Sequence, residues 1–137
     1  MTIRIDVSDR LTDEQRGWLD AELRYPVMAT IDSKGNPKQS VVWYDFAPEG
    51  DDVILVNSRS SRLKIKHLRR DPRVSLCFED GWQYLTIEGH AEIVEDPVRG
   101  LADIKALAVR YGKDPETFNG QDRRTYLIQI DRVIWHP

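Results

Sequence analysis

Seven of the chain's 20 lysines and arginines fall between Arg59 and Arg73, where only one carboxylate, Asp71, accompanies them. Elsewhere acids outnumber bases, and the 137-residue chain has a formal net charge of −3. Positive charge concentrated in NSRSSRLKIKHLRRDPR attracts anions, most commonly phosphate. On a helix, Arg62, Lys66, Arg69 and Arg70 share a sector of about 100°, with Leu63, Ile65 and Leu68 opposite and Lys64 among those apolar residues. A solvated stripe accounts for the first group and leaves Lys64 unexplained. Two readings of Lys64 stand. Either it snorkels past its apolar neighbours while Ser58, Ser60 and Ser61 cap the helix, or it meets an anion at the helix start. Unpaired N–H groups, the positive end of the helix dipole, serine hydroxyls and the fork of Arg62 would favour such an anion.

No other pattern of side chains makes a catalytic set. His67, His90 and His136 lack metal-ligand spacing and read as structural or surface groups. The acid pairs Asp51-Asp52, Glu79-Asp80 and Glu95-Asp96 fall at turns or strand ends, where acids are common. No serine sits in a nucleophile elbow. Cys77 is the only cysteine; a disulfide within the chain and a multi-cysteine zinc site are excluded. Its apolar setting, RVSLCFE, predicts a buried inert thiol.

The elements that position the basic segment follow from capping and turn signals. Thr12 and Gln15 have capping-box spacing ahead of Trp18, Leu19 and Leu23, which predicts a first helix from Thr12. A strand is expected over Tyr25–Ile31, then a turn over Asp32–Pro37. QSVVWYDF, Gln39–Phe46, is apolar on both faces along part of its length, as expected of a strand covered by the core and by a second body such as a partner or a flat ligand. Val53–Val56 reads as a short strand ahead of the basic helix. Val74–Glu79, the Asp80-Gly81 turn and Trp82–Val94 form a hairpin, with a bulge expected at Gly89. A helix over Val98–Tyr111, a polar loop to about Arg123 and a closing strand Tyr126–Trp135 complete the chain. About six strands joined by tight turns, with two or three helices, predict a small antiparallel barrel or sandwich.

Length and composition fit one domain spanning residues 1–137. No apolar run reaches the roughly 20 residues needed to cross a bilayer, and MTIRIDVSDR lacks a signal-peptide core, so a cytoplasmic protein without membrane contact is expected. Nucleic-acid binding is disfavoured, because the basic segment carries no aromatic residue and the rest of the chain is acidic.

PKQSVVWYDF, the strand ending in VNS, SRLKIKHLRRDPRVSLCFEDG and WQYLTIEGHAEIVED occur in an order that resembles the pyridoxamine 5'-phosphate oxidase-like split β-barrel superfamily. Within it the chain looks most like the flavin/deazaflavin oxidoreductases that often use coenzyme F420. The likeness spans about residues 10 to 135 and is most specific in LRRDPRVSL and EGHAEI. It implies a mainly β (α+β) fold, a six-stranded antiparallel split barrel of the FMN-binding type, assembled as a homodimer with cofactor sites at the subunit interface. Family phosphate contacts map onto Arg62 and Lys64, with Asn57, Ser58 and Arg59 in the loop leading in. The ring system would lie near Ser40, Val41, Val42 and Trp43, and Trp82 would approach from the other subunit.

FMN-binding oxidases of this superfamily typically place Arg and Lys side by side, whereas Leu63 separates Arg62 from Lys64 here, a spacing like that of the deazaflavin branch. The implied activity is hydride transfer from reduced F420 to an unsaturated small-molecule acceptor. An FMN-dependent oxidoreductase and a flavin- or haem-binding protein without turnover are the alternatives. Trp43, Tyr44 and Trp82 read equally as an aromatic wall for a flat substrate or as core and dimer packing. Arg123 and Arg124, just ahead of the last strand, read as surface residues, with contact to an anionic substrate or the acidic cofactor tail as the alternative.

Overall fold

The structure, a computed structural model, describes residues 4–137. Eight strands and three helices follow one another along the chain: β1 (Asp6–Ser8), α1 (Asp13–Ala21), β2 (Val27–Ile31), β3 (Pro37–Val41), β4 (Asp45–Phe46), β5 (Val53–Arg59), α2 (Leu63–Arg70), β6 (Arg73–Asp80), β7 (Gln83–Val94), α3 (Pro97–Arg110) and β8 (Arg123–His136), with a 3-10 turn at Pro115–Phe118 before β8. They form one sheet in the order β3-β2-β6-β7-β8-β5-β4, and β1 pairs β8 off that path. Every pairing is antiparallel. The mainly antiparallel reading holds. The strand number is eight rather than six, and the path is open at β3 and β4.

One extra strand comes from the expected run Gln39–Phe46, which breaks at Val42–Tyr44. Those residues take their backbone partners outside a ladder: Val42 N–H donates to the Pro26 carbonyl at 3.0 Å, and Tyr44 N–H to the Tyr111 hydroxyl at 3.2 Å. The other extra strand, β1, is too short to carry a visible alternation. The closing strand starts at Arg123 and β5 runs on to Arg59, so Asn57, Ser58 and Arg59 are strand residues rather than a loop.

Local sequence explains several elements as expected. Thr12 caps α1, and Gln15 completes the reciprocal box; two otherwise orphaned N–H groups are satisfied. Leu23 falls beyond the helix and is exposed. The β7–β8 register shifts between Glu88 and Gly89, the bulge anticipated there. Gly81 adopts φ of 59° in the hairpin turn, which glycine adopts without a Cβ clash. On β6, Val74, Leu76 and Phe78 point inward and Cys77 outward. The thiol is therefore exposed rather than buried, because strand side chains alternate strictly between the two faces.

Two apolar clusters lie behind the functional region. The larger joins Leu19, Met28, Tyr44, Ile65, Leu68, Phe78 and Ile128, among others. The smaller holds Val53, Leu55, Ile104, Leu107 and Leu127, with Trp43 and Phe118 packed against it. Tyr44 is fully buried and donates through its hydroxyl to the Leu19 carbonyl at 2.7 Å; it is a core residue and no part of a substrate wall.

Candidate functional site

A cavity of about 1000 Å³ opens where β3, the end of β5, the start of α2 and the 3-10 turn converge. Gln39, Ser40, Val41, Val42 and Trp43 form one wall, and Ile104, Leu107 and Phe118 supply an apolar base. Arg59, Arg62, Lys64 and Arg123 bring positive charge to it. Its volume suits a drug-sized or cofactor-sized molecule, at the upper end of the roughly 300–1,000 Å³ usual for such sites.

β5 delivers the cationic end. Val53 to Ser58 are all buried, and Arg59 emerges at the end of the strand, opposite Arg123 on β8. The link to α2 is pinned to the start of β8: Ser60 N–H donates to the Asp122 carbonyl at 2.9 Å and Ser60 Oγ to Asp122 Oδ2 at 2.7 Å. Ser58 instead pairs with the Tyr126 hydroxyl. No side chain caps α2, in contrast to Thr12 on α1, Asp96 on α3 and Asp114 on the 3-10 turn. None of the three serines caps this helix. Its uncapped N-terminus, with the positive end of the helix dipole, lies beside the cavity cations.

Ile65 and Leu68 bury the inner side of α2, while Leu63 is 66% exposed and does not join them. Arg69 pairs with Glu95 at 2.8 Å, and Arg70 donates to the carbonyls of Ile31 and Asp32. The stripe read from the helical wheel is thus a surface feature. Lys64 differs. It is half-buried, and its Nζ donates to Ser40 Oγ at 3.0 Å, bridging α2 to β3. Burial pushes its pKa below the ordinary lysine value, and Arg62 and Arg123 push it the same way.

Arg123 departs most from expectation. Its exposure is 9%, not that of a surface residue. Its Nε donates to Asn57 Oδ1 at 3.0 Å and Nη1 to Gln121 Oε1 at 3.1 Å, while the guanidinium lies 5.3 Å from the Phe118 ring centroid. Burial first, then Arg59 and Arg62, push its pKa down to about 10, leaving it protonated at neutral pH. Among the described residues, none of Arg59, Arg62, Lys64 and Arg123 forms an ion pair, although other basic side chains nearby do. Four cations converge without an ion-pair partner; the carboxylate that lines the cavity, Asp32, pairs with Lys38 at 3.8 Å instead.

Nine of the ten residues singled out in the sequence line this cavity: Ser40, Val41, Val42, Trp43, Asn57, Ser58, Arg59, Arg62 and Lys64. The tenth, Trp82, lies at the β6–β7 turn, 74% exposed, with its ring edge-on to His136 at 5.8 Å, and is outside the cavity of its own chain. The sequence reading missed His67, Ile104, Leu107 and Phe118, which line the cavity too, and of its two readings of Arg123 the surface one is overturned. His67 Nδ1 lies 2.9 Å from the buried Thr30 hydroxyl. A signal for Arg123 existed: carrying the period-2 alternation back from Leu127 through Thr125 places it on the same face. Trp43 stacks on Tyr111 with centroids 5.0 Å apart, so its ring is already engaged within the protein.

No group of three or more His, Cys, Asp or Glu among the described residues is arranged to hold a metal ion, and no helix there is long and apolar enough to cross a membrane.

Comparison with known proteins identifies the architecture. A family model described as pyridoxamine 5'-phosphate oxidase matches residues 11–135. Among solved structures, a conserved hypothetical protein of Mycobacterium tuberculosis superposes with a TM-score of 0.77 at 25% identity, over 99% of this chain and 90% of that one. A protein described as an F420 reductase gives 0.73 at 22% identity, over 85% and 94%. HupZ of Group A Streptococcus gives 0.67 at 17% identity, over 90% and 91%. The last two likenesses establish a shared fold only.

Proposed function

Because the chain belongs to the pyridoxamine 5'-phosphate oxidase family, we propose that its cationic cavity binds the deazaflavin coenzyme F420 and that the protein is an oxidoreductase acting on an unsaturated small molecule. The observation that carries this reading is the convergence of Arg59, Arg62, half-buried Lys64 and buried Arg123, with no acid paired to them, on a cavity that has an apolar base of Ile104, Leu107 and Phe118. Uncompensated buried charge is costly, and an anionic ligand offsets that cost. The residues fit a molecule with a phosphate at one end and a flat ring at the other. The phosphate would sit at Arg62 and Lys64 beside the uncapped start of α2. The ring would lie along Ser40–Trp43 over Ile104 and Leu107.

When bound, the reduced deazaflavin supplies a hydride. The chain's own part is to hold the anion through charge-assisted hydrogen bonds, fix the ring against an edge strand, and keep water from the reacting face with Val42, Ile104 and Leu107. Exposed Val41 and Leu63 flank this opening, and a second subunit covering them would form a homodimer in which Trp82 closes the partner's site. The choice of F420 over FMN is supported by the spacing of Arg62 and Lys64, with Leu63 between them pointing to solvent.

The test is a parallel fluorescence titration of the purified protein with F420 and with FMN, at low and moderate salt. Saturable binding with preference for F420 is the expected result. Preference for FMN would replace the deazaflavin by a flavin, and failure of both to bind would overturn the reading.

A further inference from the structure

Arg123 is the cavity cation that lies outside the basic helix and its approach. It comes from the far end of the chain, on β8, and is 9% exposed. Its surroundings hold the guanidinium in place without neutralising it. Asn57 Oδ1 accepts from Nε and Gln121 Oε1 accepts from Nη1; both acceptors are neutral amides. Asn57 is itself fixed, because its Nδ2 donates to the Gly100 carbonyl at 2.8 Å and lies 3.3 Å from Thr125 Oγ1. Burial disfavours the charged form, and Arg59 and Arg62, both of its own sign, push the same way.

A structural arginine at this depth is ordinarily matched with a carboxylate. The same chain provides the comparison: Arg99, on α3 and itself less buried, is paired with Glu49 and Asp103. Arg24, 6% exposed, lies within 3.8 Å of Asp80 and over the Trp18 ring at 3.6 Å. Arg123 alone of these three lines the cavity and has no acid. Two of its nitrogens are occupied by amides, which leaves the Nη2 donors of a preoriented fork for a ligand.

We infer that Arg123, held in place by Asn57, is an anion-binding residue of the cavity, acting with Arg62 and Lys64 so that the bound anionic group is gripped from both β8 and α2. The inference rests on the reading of the cavity as an anion-binding cofactor site, and extends it to a residue with a different structural origin. An arginine kept for a ligand weakens the empty protein, whereas one kept for structure strengthens it. The two roles therefore move stability in opposite directions.

Arg123→Met preserves much of the stem volume and removes the charge, and Arg123→Gln keeps a polar donor within reach of Asn57. Thermal unfolding of wild type and both variants, without ligand and with inorganic pyrophosphate as the probe, separates the roles. The expected result is a wild-type Tm that rises with pyrophosphate, and variants whose unliganded Tm is at or above that of wild type while the pyrophosphate Kd rises at least tenfold. Unchanged pyrophosphate affinity in a folded variant would overturn the inference. So would a drop of several degrees in the unliganded Tm of both variants, which would assign Arg123 to the framework. If pyrophosphate protects wild type and not the variants while neither F420 nor FMN binds, the inference stands and the proposed cofactor falls.

Discussion

Lys64→Ala weakens binding of the cavity's anionic ligand by about 1.5–3 kcal/mol, roughly a 10- to 150-fold rise in Kd, because a charge-assisted hydrogen bond to a phosphate is lost. The companion result is that the unliganded variant is no less stable than wild type. The Lys64 ammonium is half-buried, and its one hydrogen bond is to the neutral Ser40 hydroxyl at 3.0 Å. Arg62 and Arg123 repel it. Its removal deletes a repulsion and a desolvated charge, and gives up one modest bond. A fluorescence titration alongside thermal unfolding reads both quantities. Unchanged affinity would take the phosphate role from Lys64, and a large loss of stability would mean that the Lys64–Ser40 bridge holds α2 to β3.

The same residue sets a pH dependence whose sign follows from linkage. Lys64 has its pKa below 10.5 in the folded protein and regains the ordinary value when unfolded. Between the two values the unfolded chain holds more protons, so the stability of the unliganded protein rises with pH across that window. Ligand binding runs the other way. A bound anion favours protonated Lys64, so affinity is greatest below the depressed pKa and falls as pH climbs through it toward 10.5. Arg123, pushed down to about 10, adds to the same fall. Lys64→Ala should make this fall shallower, and a profile identical to that of wild type would exclude Lys64 as a source of it.

Local signals in the sequence carried most of the framework. The capping box at Thr12 and Gln15, the Asp80-Gly81 turn and the bulge at Gly89 are each set by one or two side chains acting over a few residues, and each is where the spacing predicts. What escaped depends on contacts across long stretches of chain. The break at Val42–Tyr44 needs the Tyr111 hydroxyl, which accepts from Tyr44 N–H and donates to the Arg24 carbonyl at 2.6 Å. Nothing within QSVVWYDF announces that. The site divides in the same way. Lys64 is visible as a charge on the wrong side of a helical wheel. Arg123 looks like any loop arginine until β5 and β8 pair, bringing Arg59 opposite it and Asn57 within reach. Cys77 shows the converse: an apolar run reads as buried throughout, but strand alternation sends every second side chain outward.

Gly100→Ala is expected to cost about 3 kcal/mol of stability, because overpacking a well-packed contact typically costs roughly 1–3 kcal/mol and here backbone meets backbone. A Cβ at Gly100 would stand 2.0 Å from the Arg123 carbonyl oxygen, 2.5 Å from its carbon and 3.0 Å from Arg124 N. No rotamer relieves such a contact; α3 must lift away from β8 or β8 must shift. Either movement disturbs the hydrogen bond from Asn57 Nδ2 to the Gly100 carbonyl, and with it the amide that orients the Arg123 guanidinium. The substitution should therefore lower Tm by roughly 10 °C and also weaken anion binding at the cavity. Gly17→Ala is the matched control. Gly17 lies within α1 with nothing within 4 Å of the added Cβ, so alanine there should stabilise the helix by roughly 0.5–1 kcal/mol and leave binding untouched. Equal Tm values for Gly100→Ala and wild type would show that α3 and β8 can separate freely. The wall of the cavity formed by Ile104 and Leu107 would then be adjustable, and the close approach at Gly100 would no longer explain how Asn57 and Arg123 are held.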